Sequence, residues 1–513
     1  AIGKTLLKKA ITATQAAIDD LEGFTRDKDL FGKKPKLSPN QLAALKDLLQ
    51  HKESLERMSV GIGENSKPFF AFELRMPDIA ERGFSIVLGN PPWIRSERLT
   101  KPYRNALRAR YSWWRGSKTS GGFSALPDIS VSFLQRALEL TSLGGTVGFL
   151  IPSKLASAAY GQTARRRIVR ETSLRYLHRI SDEDTNRFKA ATYPLALILE
   201  NTKPNDDHSV QIGFRSNRFA KQSSLRNEGP WVLTTDRERQ ALEEFEQSGT
   251  PLVQIGKPFL GVKTGADGIF IGSIVKKNSH TSLVAFQEGN WEIENALLRP
   301  VIRGRDITPF ESSCPRVILW PYDSNHRLVE QLPPFAKQYI TSQLDRLEKR
   351  SDYKGERPWN LFRTRGGFAP HRIVWPDIAI RPTAVAIDFP KRCSAIPINT
   401  CYILSAPTSQ TALLVTAVIN STWTEIFCKS IANEARGGYR RINAAVASRI
   451  PIPSFKTYVT QLSQISKGYH EGNRYDRAAL DRWVARALDL SKETQKILRQ
   501  IADTRSESPS NST

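Results

Sequence analysis

Cysteine is scarce in this sequence. Four occur in 513 residues (Cys314, Cys393, Cys401 and Cys428), with no Cys-x-x-Cys pair and no histidine at metal-ligand spacing. That argues against a disulfide framework and a zinc site, and no metal is expected. A reducing, cytoplasmic setting with packed thiols fits. Long apolar runs are also missing. No stretch approaches the roughly 18 residues a membrane-spanning helix needs, and Ala1-Ile2-Gly3-Lys4 does not open a signal-peptide core. No membrane partner is expected. No Gly-x-x-x-x-Gly-Lys-(Ser/Thr) phosphate loop occurs. The Pro-Asp pairs at 77–78, 127–128 and 376–377 have no Glu-x-Lys nearby, so no nuclease is read.

Positive charge, by contrast, is abundant. Lys and Arg number 75 against 51 Asp and Glu, a net charge of +24 in a chain that is 40% hydrophobic. Two readings fit: a polyanionic partner, with nucleic acid leading, or a solvated basic surface. Residues 95–118 concentrate the surplus. Arg95, Arg98, Lys101, Arg104, Arg108, Arg110, Arg115 and Lys118 face one acid, Glu97, with Tyr103, Tyr111, Trp113 and Trp114 interleaved. Cations and rings together suit a surface that tracks a nucleic-acid backbone and stacks bases. A solvated helix with its rings in the core is the alternative. A helix near Gln162–Arg170 carries Arg165, Arg166, Arg167 and Arg170.

Patterning divides the rest. Residues 1–60 read as helical. Lys4–Leu21 has Leu6, Leu7, Ala10, Ile11, Ala17, Ile18 and Leu21 at helical spacing, and Gln41–Met58 follows Ser38 as N-cap and Pro39 in the first turn. These helices pack on the next domain or form a charged linker. Pro68–Leu74 and Phe84–Leu88 read as strands, the second buried. Ile129–Leu140 reads as an amphipathic helix ended by Gly144-Gly145, and Thr146–Pro152 as a buried strand. Strands near Leu174–Ile180 and Tyr193–Leu199 flank the loop Asp182-Glu183-Asp184. This rhythm predicts an α/β, mainly parallel, doubly wound sheet. Polar residues 201–230 suggest a boundary. From about 250 to 455 short β-like segments alternate with Gly/Pro turns, followed by helix to Asp503 and a disordered end at 504–513.

The stretch Phe84–Trp93 carries the chemistry. A short apolar run ends in Gly89-Asn90-Pro91-Pro92-Trp93. Two prolines fix the backbone and remove two amide donors. The Asn90 amide offers a donor and an acceptor, and Trp93 a flat face. That set suits a planar amino-bearing ring: the amide oxygen and a proline carbonyl take its two amino hydrogens while the indole stacks. A strand ended by a proline turn is the bland alternative. Ligands of doubly wound sheets bind at the carboxyl ends of strands, where Asn90 falls.

Asn90-Pro91-Pro92-Trp93 resembles motif IV of DNA adenine-N6 methyltransferases. The order of flanking pieces is similar to the gamma class, especially type IIG restriction–modification enzymes and their phage-defence relatives. Phe72–Asp78 resembles that group's Phe-x-x-x-x-Pro-(Glu/Asp) lead-in, Gly145–Lys154 its motif VI strand, and Tyr160-Gly161 and Phe188–Pro194 the stretch ending in motif VIII. Gly261–Asp267, Arg303–Ile307, Ile373–Ile378, Asn420-Ser421 and Gly437–Pro453 resemble, in order, a TaqI-like target-recognition domain. The resemblance covers about residues 66–500 and rests on the ordered set.

The resemblance implies a partial Rossmann-like methyltransferase sheet, a mixed α+β target-recognition domain and a helical tail. The boundaries are 1–60, 61–205, 206–455, 456–503 and 504–513. It implies base flipping from double-stranded DNA. Asn90 and the Pro91 carbonyl would accept the N6 hydrogens, with Pro92 shaping the turn, Trp93 stacking, and Phe188 as the facing ring. Phosphates and base edges would be met by Arg95, Arg98, Arg104, Arg108, Arg165 and Arg166, then by Lys263, Arg303, Arg305, Arg440 and Arg441 in the second domain. One departure stands out. The Gly-rich motif I turn that holds S-adenosyl-L-methionine has no match in residues 1–89, where Gly61-Ile62-Gly63 follows a helix rather than a strand. The expectation is an adenine methyltransferase subunit or fragment. Its cofactor site would be completed by a partner chain or a missing N-terminal region, and its role would lie in restriction–modification or anti-phage defence. The rival is a non-catalytic, sequence-specific DNA-binding specificity subunit.

Overall fold

The structure, a computed structural model, describes residues 2–23, 37–60, 76, 81–115, 127–180, 193–213, 217–226, 230–388, 395–434, 436–454 and 456–506. Two compact units divide it: Ala1–Leu88 with Arg136–Val147 and Glu200–Thr202, and Gly89–Gln135 with Gly148–Leu199 and Lys203–Thr513. The expected strand Pro68–Leu74 and loop Asp182–Asp184 lie outside the described residues.

In the first unit, helices α1 (Ile2–Gly23) and α2 (Pro39–Val60) pack together, with Ile18 and Leu55 buried. Ser38 caps α2 as its position predicts. Its N–H donates to the Gln41 side chain at 3.0 Å and its hydroxyl accepts from the Gln41 N–H at 3.3 Å. Strand β1 (Phe84–Gly89) belongs here and departs from expectation. The apolar run predicts a buried strand, yet Ile86 is 63% and Leu88 76% exposed, and Leu143 on the neighbouring strand is 88% exposed. Periodicity identifies an apolar strand but not what covers it. Among the described residues β1 is the edge of its sheet.

That sheet has six strands. After β1 come β2 (Thr141–Pro152), β3 (Ser173–Arg179), β4 (Pro194–Glu200), β5 (Ser209–Ile212) and β6 (Phe219–Lys221), in the order β1-β2-β4-β3-β5-β6. Helices α3 (Lys101–Arg110) and α4 (Ser130–Leu140) lie between β1 and β2, and α5 (Gln162–Glu171) precedes β3. The α/β class therefore stands, with two strands set against the mainly parallel pattern: the edge strand β6, and β4. The start of β4 meets the end of β2, where Ser153 N–H donates to the Tyr193 carbonyl at 2.8 Å. Its end meets the start of β2, where Asn201 N–H donates to Gly145 at 2.8 Å. β3 and β5 are parallel, β5 and β6 antiparallel. The sheet thus runs on past residue 205, into the polar stretch that reads as a boundary. Gly144-Gly145 also lies inside β2 rather than before it.

The second half is mixed α+β. One six-stranded sheet spans strands between Ile271–Lys277 and Ile396–Pro397, and a four-stranded sheet is centred on His371–Pro376 and Cys401–Ser405. Helix α6 (Asp236–Gln247) starts on a Thr235–Glu238 capping box. Helices α7 (Ser409–Ile419), α8 (Thr422–Ile431), α9 (Lys456–His470), α10 (Arg477–Ala487) and α11 (Lys492–Ser506) share one core with Ile373 and Trp375. Trp375 and Trp423 are fully buried, and their indole N–H groups donate to the Ile442 and Asp481 carbonyls at 2.9 and 2.8 Å. Each such ring contributes on the order of 5 kcal/mol of transfer free energy before entropy is counted. The C-terminal helices are therefore part of this core, and the last runs to Ser506, past the expected end at Asp503. Among the described residues no single helix is long and apolar enough to cross a membrane; the bent pair α7–α8 is apolar enough but sits in this core.

Candidate active site and nucleic-acid interface

At the carboxyl end of β1 the chain turns through Asn90–Trp93. Asn90 and Pro92 are exposed, Pro91 is buried and Trp93 is half-buried. Gly89 packs closely on β2: a Cβ there would lie 3.0 Å from the Phe149 ring. The Trp93 indole N–H points to the Leu150 carbonyl of β2 at 3.4 Å, which fixes the ring's orientation beside the turn. The exposed amide, the proline carbonyls and the anchored ring thus share one short turn.

Behind the turn lies a buried carboxylate. Asp128 is 6% exposed, forms an isolated antiparallel bridge with Arg95 and accepts a 3.0 Å hydrogen bond from the Ser130 N–H, while Ile129 N–H donates to the Ile94 carbonyl at 3.0 Å. Burial pushes its carboxyl above the ordinary value; hydrogen bonds from Ser130 and the Ile94 backbone, and the Arg95 charge, pull the other way. Burial likewise raises the hydroxyl of Tyr160, with Asp128 adding to the rise.

Three chain segments converge beside this turn. Ser153, at the end of β2, is bonded to the Tyr193 carbonyl. The Tyr193 hydroxyl in turn accepts from the Gly437 N–H at 3.0 Å. Gly437 and Gly438 have φ of +76° and +74°, a turn that glycine makes without strain. It leads to Arg440–Arg441, which pairs with Ile378–Ala379 and Asn433–Glu434. Lys154 follows Ser153. Its ammonium is pushed below the ordinary value by burial first and then by the Arg95 and Arg441 charges, with Glu97 opposing. Arg441 also sits 3.4 Å from Asp377.

A model of the Eco57I restriction-modification methylase family matches residues 8–186, and one of the TaqI-like C-terminal specificity domain matches residues 299–452. The chain joins a restriction–modification methylase region to a TaqI-like specificity domain. Type II methyltransferase M.XhoI of Xanthomonas vasicola is 22% identical over 453 residues, 82% of this chain and 77% of that protein. Type II methyltransferase M.BstVI of Geobacillus stearothermophilus is 23% identical over 461 residues, 82% of this chain and 76% of that protein. A solved Type IIL restriction-modification enzyme, MmeI in complex with DNA, covers 99% of this chain and 69% of its own at a TM-score of 0.52 and 15% identity, a likeness of fold.

Within the methylase region the expected basic residues divide. Arg95, Arg98, Arg108 and Arg166 are exposed. Arg104 donates to the Ser96 carbonyl at 3.2 Å. Arg165 corrects the sequence reading: it is buried, donates to the Leu155 and Ala158 carbonyls at 2.8 Å each, and cannot present itself to a phosphate. It serves the close turn at Gly161, where a Cβ would lie 2.3 Å from the Leu155 carbonyl oxygen. Trp113 and Trp114 are also core residues rather than stacking platforms, and Tyr103 is the exposed ring of that segment. Phe188 and Gly61–Gly63 lie outside the described residues.

In the specificity domain Arg305 and Arg441 are exposed and Arg440 is half-buried. Lys263 is paired with Asp352, and Arg303 is held by both oxygens of Asp306 at 2.8 and 2.9 Å. These two cations are committed to acids and hold turns in place. Thr264 is buried with its hydroxyl on Asp267, and its carbonyl is held by buried Arg350 at 2.7 Å. Its neighbourhood is a supported turn, not a phosphate loop. Sequence reasoning missed Asp128, Lys154 and Tyr193 as parts of the site. Asp128 stands in a Pro-Asp pair weighed only as nuclease chemistry, and Lys154 closes the motif VI stretch.

Proposed function

We propose that this chain binds duplex DNA and holds an extruded adenine at Asn90–Trp93 for methylation at N6. The observation that carries the reading is the turn itself: an exposed carboxamide at a strand's carboxyl end, two prolines and an aromatic ring anchored by its own N–H. The Asn90 side-chain oxygen and the Pro91 carbonyl would accept the two amino hydrogens. That orients the nitrogen lone pair out of the ring plane and stabilises positive charge developing on N6. Trp93 would stack on the base. Phe188 remains the proposed facing ring on sequence grounds. The exposed cations Arg95, Arg98, Arg108, Arg166 and Arg441 would meet phosphates, and the specificity domain, with Arg305 and Arg440, would read base edges. The similarity to named type II methyltransferases supports methyl transfer to DNA, and a role in restriction–modification or phage defence follows from the same kinship.

S-adenosyl-L-methionine is the methyl donor this reading requires. The described residues do not fit it on their own: none supplies a strand-to-glycine turn ahead of β1, and the β1 edge is uncovered. We assign the donor-holding half to a partner chain or a preceding segment that pairs with β1 over Ile86 and Leu88.

The test is tritiated-methyl transfer to mixed-sequence DNA by the chain reconstituted with that half, followed by analysis of the modified base. Methyladenine is expected, and Asn90→Ala should abolish its formation while duplex binding stays nearly intact. Methylation that survives Asn90→Ala would sink the catalytic assignment. A reconstituted complex that binds DNA but transfers no methyl group would favour a non-catalytic specificity subunit.

A further inference from the structure

We propose that Arg95, Lys154 and Arg441 form a cradle for one DNA phosphodiester beside the Asn90–Trp93 turn, assembled by the contact of Tyr193 with Gly437. The inference rests on the reading that this chain binds DNA, and deepens it.

The three cations come from three separate parts of the chain. Arg95 stands two residues after Trp93, Lys154 two residues after the end of β2, and Arg441 in the hairpin of the specificity domain. The hydrogen bonds already described knit those parts together. The Trp93 indole ties the turn to Leu150 of β2, the Tyr193 carbonyl accepts from Ser153 just past the end of β2, and the Tyr193 hydroxyl accepts from Gly437 of the hairpin that leads to Arg441. All three side chains reach solvent.

Like charges brought together repel: burial first, and then the Arg95 and Arg441 charges, hold the Lys154 ammonium below its ordinary value. An incoming anion offsets it. Carboxylates border the cluster: Glu97 near Lys154, Asp377 on Arg441 and Asp128 behind Arg95. Two guanidinium forks and an ammonium suit a phosphodiester, whose oxygens take several charge-assisted hydrogen bonds at once. Extruding a base also requires the backbone next to it to be gripped, and the cradle adjoins the turn that would hold the base.

A shared cradle behaves differently from three independent surface cations. The probe is a mixed-sequence duplex of about 30 base pairs, titrated with the full chain at salt concentrations between about 50 and 200 mM. Replacing all three cations by alanine should make the slope of log affinity against log salt shallower by about 0.9, the loss of one phosphate contact. Lys154→Ala should change little once Arg441→Ala is present, because the same phosphate has already been released. Lys154→Arg should keep the parent slope. A slope change near three times that size with additive single effects, or no change at all, overturns the shared cradle. Failure of the parent chain to bind the duplex overturns instead the DNA reading beneath it.

Discussion

The hydroxyl of Tyr193 accepts a 3.0 Å hydrogen bond from the backbone N–H of Gly437. Its own carbonyl accepts from Ser153 at 2.8 Å. One residue at the start of β4 therefore ties the methylase sheet to a glycine turn of the specificity domain. Tyr193→Phe keeps the ring and the carbonyl bond and removes the hydroxyl. The expected cost is about 1 kcal/mol, the usual net worth of one hydrogen bond. Faster exchange of the Gly437 amide, with β2 and β4 unchanged, is the signature to look for by hydrogen–deuterium exchange. Unaltered exchange at Gly437 would mean that other contacts hold the hairpin.

Trp93 offers a separation of anchoring from stacking. Trp93→Phe retains a ring but loses the indole bond to Leu150, whereas Trp93→Ala loses both. Stacking on a base is worth about 1–3 kcal/mol. Trp93→Ala is therefore expected to weaken binding to DNA with an unpaired adenine by roughly five- to 150-fold, and Trp93→Phe by much less. Equal losses in the two variants, measured by fluorescence anisotropy, would show that the ring does not stack.

Arg165 and Arg166 are neighbours with opposite roles. Arg165 satisfies two buried backbone carbonyls; Arg166 is exposed. Arg165→Met should destabilise the fold by about 2–4 kcal/mol, since it leaves those oxygens without donors, and leave the salt dependence of DNA binding alone. Arg166→Ala should do the reverse, flattening the salt dependence with little change in the denaturation midpoint. Chemical denaturation and salt titration of the two variants decide this.

Asp128 makes stability depend on pH. Its folded-state carboxyl lies above the ordinary value because burial disfavours the charge, more than Ser130, Ile94 and Arg95 favour it. Between the ordinary value and the raised one, the folded chain holds the proton that the unfolded chain has released. The stability from this site is present at low pH and is lost as pH rises through the folded value. Asp128→Asn should therefore gain melting temperature relative to the parent as pH rises through that window, and the gain should level off above it. A difference in melting temperature that does not vary with pH would show that the group titrates normally.

The turn of the candidate site is legible in the sequence because its parts are local. The Asn90–Trp93 turn follows a strand that is apolar over consecutive residues, and Ser38-Pro39 announces a helix start through side chains three residues apart. What escaped is what depends on distant neighbours. The burial of Arg165 hinges on Leu155 and Ala158 across the Gly161 turn, and in sequence it looks like one more arginine in a basic helix. The pairing of Lys263 with Asp352 joins residues far apart in the chain. The reversal of β4 carries no periodic signature, since an apolar strand reads alike in both directions. Trp113 and Trp114 satisfied a stacking pattern, but core demand took them.

The uncovered edge of β1 has a consequence for how this chain exists at all. Ile86 and Leu88 on β1, with Leu143 on neighbouring β2, present apolar surface, and the outer row of β1 backbone groups has no partner strand among the described residues. Whatever binds the folded edge and not the unfolded chain stabilises it by mass action, in proportion to the logarithm of its concentration. At low occupancy the same edge is a template for pairing with other strands, including copies of itself. If a partner completes the sheet as proposed, the steady level of intact chain would track that partner's abundance.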